Sequence, residues 1–141
     1  MKNLIIVLMV VFVTGCSSVG FQANNLRNTW TFEDAAPWNF TIDLDSKSGN
    51  CADFAVTLQY KLGEGVLYYI ENPSDHIWWF RGVDAHAVLC VDGKCYDQVS
   101  SYKYDWLVES FGDTFHPMER YTYNVYNVHT GEEINHVGTG R

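Results

Sequence analysis

The segment "HAVLCVDGKCYDQV", residues 86–99, constrains the fold of this chain more than any other stretch. Two strand-like runs flank Asp92-Gly93, a dipeptide favoured in two-residue hairpin turns because both of its positions tolerate positive φ. Since side chains alternate along a strand, the turn also predicts the register. In that register Val91 faces Lys94, Cys90 faces Cys95, Val88 faces Asp97, and His86 faces Val99. An antiparallel hairpin is therefore predicted here, with His86 and Asp97 on one face.

Length and charge limit the class of protein. The 141 residues are 47% hydrophobic and 16% aromatic, enough to bury one core but too short for two independent domains. Nine Lys and Arg residues against seventeen Asp and Glu residues give a formal net charge of -8. Such an acidic chain offers no basic patch for a phosphate backbone, so we expect no nucleic-acid partner.

The first sixteen residues, "MKNLIIVLMVVFVTGC", have the pattern of an export signal: a positive charge, an apolar run and small residues. The apolar run from Leu4 to Val13 has ten residues. A helix that spans the membrane needs about twenty, so the run predicts a cleaved signal rather than a transmembrane anchor.

The ending "VTGC" resembles the lipobox of bacterial lipoproteins. The resemblance implies a signal peptide over 1–15, lipid on Cys16 and a lipidated tether over 16–29, leaving 30–141 as the folded domain. It also implies a cell-envelope protein held at the membrane through Cys16. Because Ser17 rather than Asp follows, the implied location in a Gram-negative host is the periplasmic face of the outer membrane. The alternative is an ordinary cleavage site with Cys16 merely nearby.

Helical spacing appears after residue 50. Apolar positions 51, 54, 55, 58 and 62 lie on one face of a helix that runs from Cys51 to about Leu62, with Gly63 as its terminator. Strand-like runs follow at 65–70 and 76–83, "YDWLVESF" at 104–111 predicts a short helix, and the tail from 121 predicts a second hairpin with its turn at "HTGE". The mixture of helices and hairpins predicts an α+β fold.

The cysteines outside the signal have different expected roles. Cys90 and Cys95 form a non-hydrogen-bonded pair in the predicted hairpin, where side chains approach closely enough for a disulfide. Two reduced thiols are the alternative. Cys51 is then unpaired, at a helix start whose N–H groups favour a thiolate and can hold an oxyanion. The alternative for Cys51 is a small buried apolar residue.

A thiol nucleophile needs a base, and the base needs an orienting group. In the predicted register His86 and Asp97 are diagonal neighbours, within reach of a hydrogen bond. The alternative is a half-buried histidine at a sheet edge and an aspartate near a turn.

Together, "GNCADFA", "HAVLCV" and "YDQ" resemble the bacterial transglutaminase-like cysteine proteinases over about residues 48–99. The resemblance implies a papain-like fold, in which a helix bearing the cysteine packs on an antiparallel sheet. It implies Cys51 as nucleophile, His86 as general base and Asp97 as the group that orients the imidazole, with Asp53 structural. Cell-wall endopeptidases with an "Asp-Cys-Ser-Gly-Phe" helix start match less well.

The expected function is that of a lipid-anchored thiol hydrolase or acyl transferase that acts on amide bonds through a Cys51 thioester. Its substrate would be a peptide or protein, with cell-wall peptide as one candidate. Hydrolysis and transfer are both open, as is the oligomeric state. No cofactor is implied, and the remaining histidines lack the spacing of a metal site. The alternative function is a binding or exclusion lipoprotein that keeps the scaffold without catalysis.

Overall fold

The computed structural model describes residues 18–33, 48–73 and 85–118 with their side chains, and the backbone of residues 41–43, 120–126 and 133–139. The helices are α1 (Val19–Thr29), α2 (Cys51–Leu62) and α3 (Tyr104–Phe111). The strands, in chain order, are β1 (Thr31–Phe32), β2 (Thr41–Asp43), β3 (Ser48–Gly49), β4 (Val66–Glu71), β5 (Ala85–Val91), β6 (Lys94–Tyr96), β7 (Ser101–Lys103), β8 (Phe115–Pro117), β9 (Arg120–Tyr126) and β10 (Glu133–Thr139).

An antiparallel sheet of five strands, in the order β7-β6-β5-β4-β8, lies between two layers of helix. Because side chains alternate along β5, it contributes to both layers. Ala87, Leu89 and Val91 pack in the core shared with α1 and α2. Val88 and Cys90 pack on the opposite face, with residues of α3. The α+β class and the packing of a Cys51-bearing helix on an antiparallel sheet are thus confirmed.

Both predicted helices are present with their predicted bounds. Helix α2 ends where Gly63 adopts the left-handed conformation (φ 69°) and its N–H bonds to the carbonyl of Gln59. At the end of the chain, β9 and β10 pair antiparallel, which confirms the predicted terminal hairpin, and β2 joins β9 in parallel. The predicted turn "HTGE" lies outside the described residues.

The β5–β6 hairpin has the predicted turn and the two predicted pairs nearest to it. Asp92 and Gly93 both have positive φ, 48° and 77°, as a tight two-residue turn of this kind requires. Val91 faces Lys94 and Cys90 faces Cys95. The two cysteines are joined by the predicted disulfide.

Further from the turn, the strands keep the predicted register for one more pair and then separate, so the two outer predicted pairs are wrong. The last pair is Leu89 with Tyr96, so neither Val88 with Asp97 nor His86 with Val99 forms a pair. The strand stops because the Asp97 carboxylate accepts the N–H groups of Val99 and Ser100, a local bond that turns the chain. Val99 is consequently 76% exposed.

The segment interpreted as a tether contains helix α1. Its start is capped by Ser18, whose Oγ accepts the N–H of Phe21 at 3.3 Å. Ala23 and Leu26 are buried in the core that α2 also lines, so regular structure begins before Trp30. Too few apolar residues mark this helix for its period to be visible among the surrounding Asn and Gln residues.

Cys16 and the strand predicted at 76–83 lie outside the described residues. Within the described ranges, no helix combines the length and the hydropathy needed to cross a membrane.

Candidate active site

Helix α2 begins at Cys51 because the chain before it supplies a complete cap. Asn50 Oδ1 accepts the N–H groups of Ala52 and Asp53, at 2.9 and 3.1 Å. In return, Asp53 Oδ2 accepts the N–H of Asn50 at 3.0 Å, which completes a capping box. This cap does not use the N–H of Cys51 itself. Asp53 therefore has the structural role expected of it, and the half-buried sulfur of Cys51 lies at the positive end of the helix dipole.

Gly49 permits this cap. Its φ of 145° is rarely adopted by residues with a side chain, and a Cβ there would lie 2.6 Å from the Cβ of Asp53. The Gly49 carbonyl also accepts the indole N–H of Trp30 at 3.2 Å, and the Trp30 ring meets Phe54 edge-on at 5.3 Å. The two residues before the cysteine thus hold the start of the helix against the core.

His86 lies in β5, opposite Ile70 of β4, and is only 5% exposed. Its Nε2 is 2.8 Å from Asp97 Oδ2, and a second hydrogen bond joins its side chain to Cys51. Because Nε2 is bound to Asp97, Nδ1 is the ring nitrogen left for the sulfur. Burial alone would lower the pKa of His86, but the hydrogen bonds and negative charges of Asp97 and Cys51 outweigh it and raise the pKa to about 9.

Asp97 is 1% exposed, and its carboxylate receives four hydrogen bonds. Oδ1 accepts the N–H groups of Val99 and Ser100 at 2.8 and 2.6 Å. Oδ2 accepts the Tyr102 hydroxyl at 3.0 Å besides Nε2 of His86. Burial alone would raise the pKa of Asp97, but His86 and the two N–H groups lower it below its ordinary value. The carboxylate is therefore charged at neutral pH and fixed in orientation.

The three residues predicted from the sequence thus converge, in the order Cys51, His86, Asp97. They come from a helix start, a strand and a turn, and all the contacts between them link positions far apart in the chain. The arrangement presents a sulfur, a buried imidazole that can exchange a proton with it, and a carboxylate that fixes the imidazole.

Sequence reasoning missed two residues that complete this arrangement. Tyr102, on β7, donates to Asp97, and the burial of its hydroxyl and the charge of Asp97 raise its pKa, so it stays protonated as the donor. Arg27, on α1, donates from Nε to the backbone carbonyl of Asp97 at 2.8 Å. Neither has a sequence signal, because an isolated Tyr or Arg in a polar segment is usual.

Among the described residues, Tyr69 is a further ionisable side chain that interacts electrostatically with Cys51. Burial first, then the charges of Glu71 and Cys51, raise its pKa. Its ring lies 5.4 Å from that of His116, whose Nε2 is 3.2 Å from Glu71. In the part of the chain that the structure describes, no three His, Cys, Asp or Glu residues are grouped as metal ligands.

Comparisons with models of known protein families, with curated proteins and with solved structures gave no match to this chain.

Proposed function

We propose that this protein is a thiol hydrolase or acyl transferase that cleaves amide bonds, with Cys51 as nucleophile, His86 as general base and acid, and Asp97 as the group that orients the imidazole. The observation that carries the proposal is the hydrogen-bonded series from Cys51 through His86 to Asp97. A structural cysteine has no need of a buried imidazole whose second nitrogen is held by a carboxylate.

The chemistry follows from the atoms already placed. Cys51 Sγ gives its proton to His86 Nδ1 and attacks the carbonyl carbon, forming a C–S bond while the C=O electron pair moves to oxygen. In this step the N–H of Cys51, which the cap does not use, would donate to the oxyanion. When the intermediate collapses, the C–N bond breaks and Nδ1 protonates the leaving amine.

The resulting thioester is released by water or by an amine. His86 takes a proton from the incoming nucleophile, the C–S bond breaks, and the sulfur recovers its negative charge beside the imidazolium. Water gives hydrolysis and an amine gives transfer. The raised pKa of His86, about 9, favours the protonated imidazole that forms when the sulfur gives up its proton.

The wider proposal follows the sequence resemblance. The α2 helix on the antiparallel sheet is compatible with a papain-like, transglutaminase-like domain, and "VTGC" supports lipid attachment at Cys16 in a cell envelope. A peptide or protein substrate, such as cell-wall peptide, suits that location.

Alkylation of the full chain tests the proposal. Iodoacetamide should label Cys51 in peptide mass spectrometry with a rate that is already high well below about pH 8.5, where a free thiol becomes reactive. His86→Gln should shift this pH profile toward that of a free thiol, because the imidazole no longer takes the proton. Cys51→Ala is the control for labelling elsewhere, and it should also abolish any release of amine from peptide substrates.

A profile that matches a free thiol and does not respond to His86→Gln would contradict the proposal. If the biological activity also survived Cys51→Ala, the protein would instead be the binding or exclusion lipoprotein considered from its sequence.

A further inference from the structure

Helix α1 reaches the turn that follows Asp97 through one side chain. Arg27 Nε donates to the carbonyl of Asp97 at 2.8 Å, and its Nη2 donates to the carbonyl of Ser100 and to Ser101 Oγ, the latter at 3.2 Å. A guanidinium is planar and presents its donors in a fixed fork, so these bonds define the separation of the two carbonyls. Arg27 therefore bridges the two ends of the turn.

The position of Arg27 is itself fixed on the helix side. Its Nη1 donates to Asn24 Oδ1 at 2.7 Å, and its guanidinium lies over the Tyr96 ring, 6.0 Å from the centroid. The helix is docked by Ala23 and Leu26, both buried in the core with α2. The fork is therefore attached to the same core that supports the start of α2.

The turn in question decides where the Asp97 carboxylate points. Its Oδ1 is occupied by the N–H groups of Val99 and Ser100, and this leaves Oδ2 directed at His86. If the Asp97 and Ser100 carbonyls separated, those two N–H groups would move and Oδ2 would leave the imidazole.

We infer that Arg27 is a positioning residue for the Cys51–His86–Asp97 site: by clamping the 97–101 turn, α1 keeps the Asp97 carboxylate on His86. The inference rests on the proposed function for its catalytic meaning. It makes α1, which follows the proposed lipidation site in the sequence, a part of the active site's support. It therefore predicts that displacing α1 makes His86 a weaker base.

The direction in which the pKa of His86 changes when Arg27 is replaced distinguishes a positioning role of Arg27 from the effect of its charge alone. Within the part of the chain that the structure describes, the ionisable groups that face His86 are Asp97 and Cys51, with Tyr102 on Asp97 and Tyr69 near the sulfur. Removing the positive charge of Arg27 would by itself raise the pKa of His86, since a like charge is lost. Losing the Asp97 hydrogen bond would lower it, because burial then dominates.

The experiment is an NMR titration of the His86 ring in the full chain, with Arg27→Ala, Arg27→Lys and Lys61→Ala. We expect Arg27→Ala to lower the pKa of His86, about 9 in the unaltered chain, by about one unit or more. Arg27→Lys keeps the charge and the apolar stem but loses the fork, so it should lower the pKa by less. Lys61→Ala removes one exposed positive charge near the end of α2, on the surface that this helix shares with α1, and should leave the pKa unchanged.

An unchanged or raised pKa in Arg27→Ala, in protein that circular dichroism shows to be folded, would overturn the inference. If Arg27→Ala does not fold, Arg27→Lys decides it by the same criterion. The proposed function fails separately: an unreactive Cys51 in the unaltered chain removes the catalytic meaning, while a pKa of His86 that still responds to Arg27 would leave the clamp itself established. A reactive Cys51 with an unresponsive His86 would refute the clamp alone.

Discussion

At one end of the β5–β6 hairpin, the chain is closed by its own neighbours. Asp92 and Gly93 form the turn, and the Cys90–Cys95 disulfide joins the strands directly behind it. At the other end, β6 has already ended at Tyr96. The hydrogen bond between His86 and Asp97 joins β5 to the segment that follows β6. The closed end uses only contacts between residues a few positions apart. The open end also uses contacts between residues further apart in the sequence, those of Asp97 with His86 and with Arg27.

The difference has a physical origin. A turn of two residues with positive φ and a disulfide across it need only local geometry. The buried charge pair at the open end requires every lone pair and proton to be satisfied, because a buried ion without partners is costly. Val99, Ser100 and Tyr102 meet that requirement for the carboxylate, and Arg27 holds the turn. The open end therefore combines local donors to Asp97 with contacts that the closed end lacks, to His86 and from Arg27.

The largest expected effect is at the open end. Asp97→Ala removes the acceptor of four hydrogen bonds and leaves the buried His86 imidazole without its carboxylate. We expect the free energy of unfolding to fall by about 3–5 kcal/mol in urea titrations. The matched control is Tyr102→Phe, which removes one donor of the four and should cost about 1 kcal/mol. If the two substitutions lower the free energy of unfolding equally, the His86–Asp97 pair is not what stabilises this end of the hairpin.

The second expected effect is on the pH dependence of stability. The folded pKa of His86 is about 9, above the ordinary value of 6.5, so between these values His86 itself binds a proton in the folded state that it has largely lost in the unfolded state. Its contribution is therefore complete below pH 6.5 and is lost as the pH rises through 9. The expected loss is about 3 kcal/mol over this range. Urea titrations across the range should show it, and the same titrations of His86→Gln should lack that part of the slope.

The same contrast marks what the sequence could predict. The Asp92-Gly93 turn, the disulfide and the bounds of α2 and α3 follow from neighbours in the chain, and the structure has all of them. The structure also brings Cys51, His86 and Asp97 together, as their predicted roles require. The two pairs predicted beyond Leu89 and Tyr96 do not form, because the bonds that the Asp97 side chain accepts from the N–H groups of Val99 and Ser100 outweigh strand propensity.

Helix α1 and its clamp were missed for a related reason. Arg27 lies seventy positions before Asp97, and nothing in its surrounding residues indicates a partner. The helix has only two buried residues, Ala23 and Leu26, too few to show a helical period in the sequence. Contacts of this kind follow from the assembled fold rather than from any local pattern.

The smallest expected effect is at the closed end, and it decides whether the two ends are independent. Removing the disulfide by Cys90→Ala with Cys95→Ala frees a loop of only about six residues in the unfolded chain. The gain in chain entropy should lower the free energy of unfolding by about 2 kcal/mol. Because β5 and β6 remain paired at Leu89 and Tyr96, the strand should still deliver His86 to Asp97. We therefore expect lower stability in urea with an unchanged pKa of His86 by NMR. A shifted pKa of His86 would mean that the disulfide affects the position of His86 through β5 and β6. The two ends of the hairpin would then not be independent.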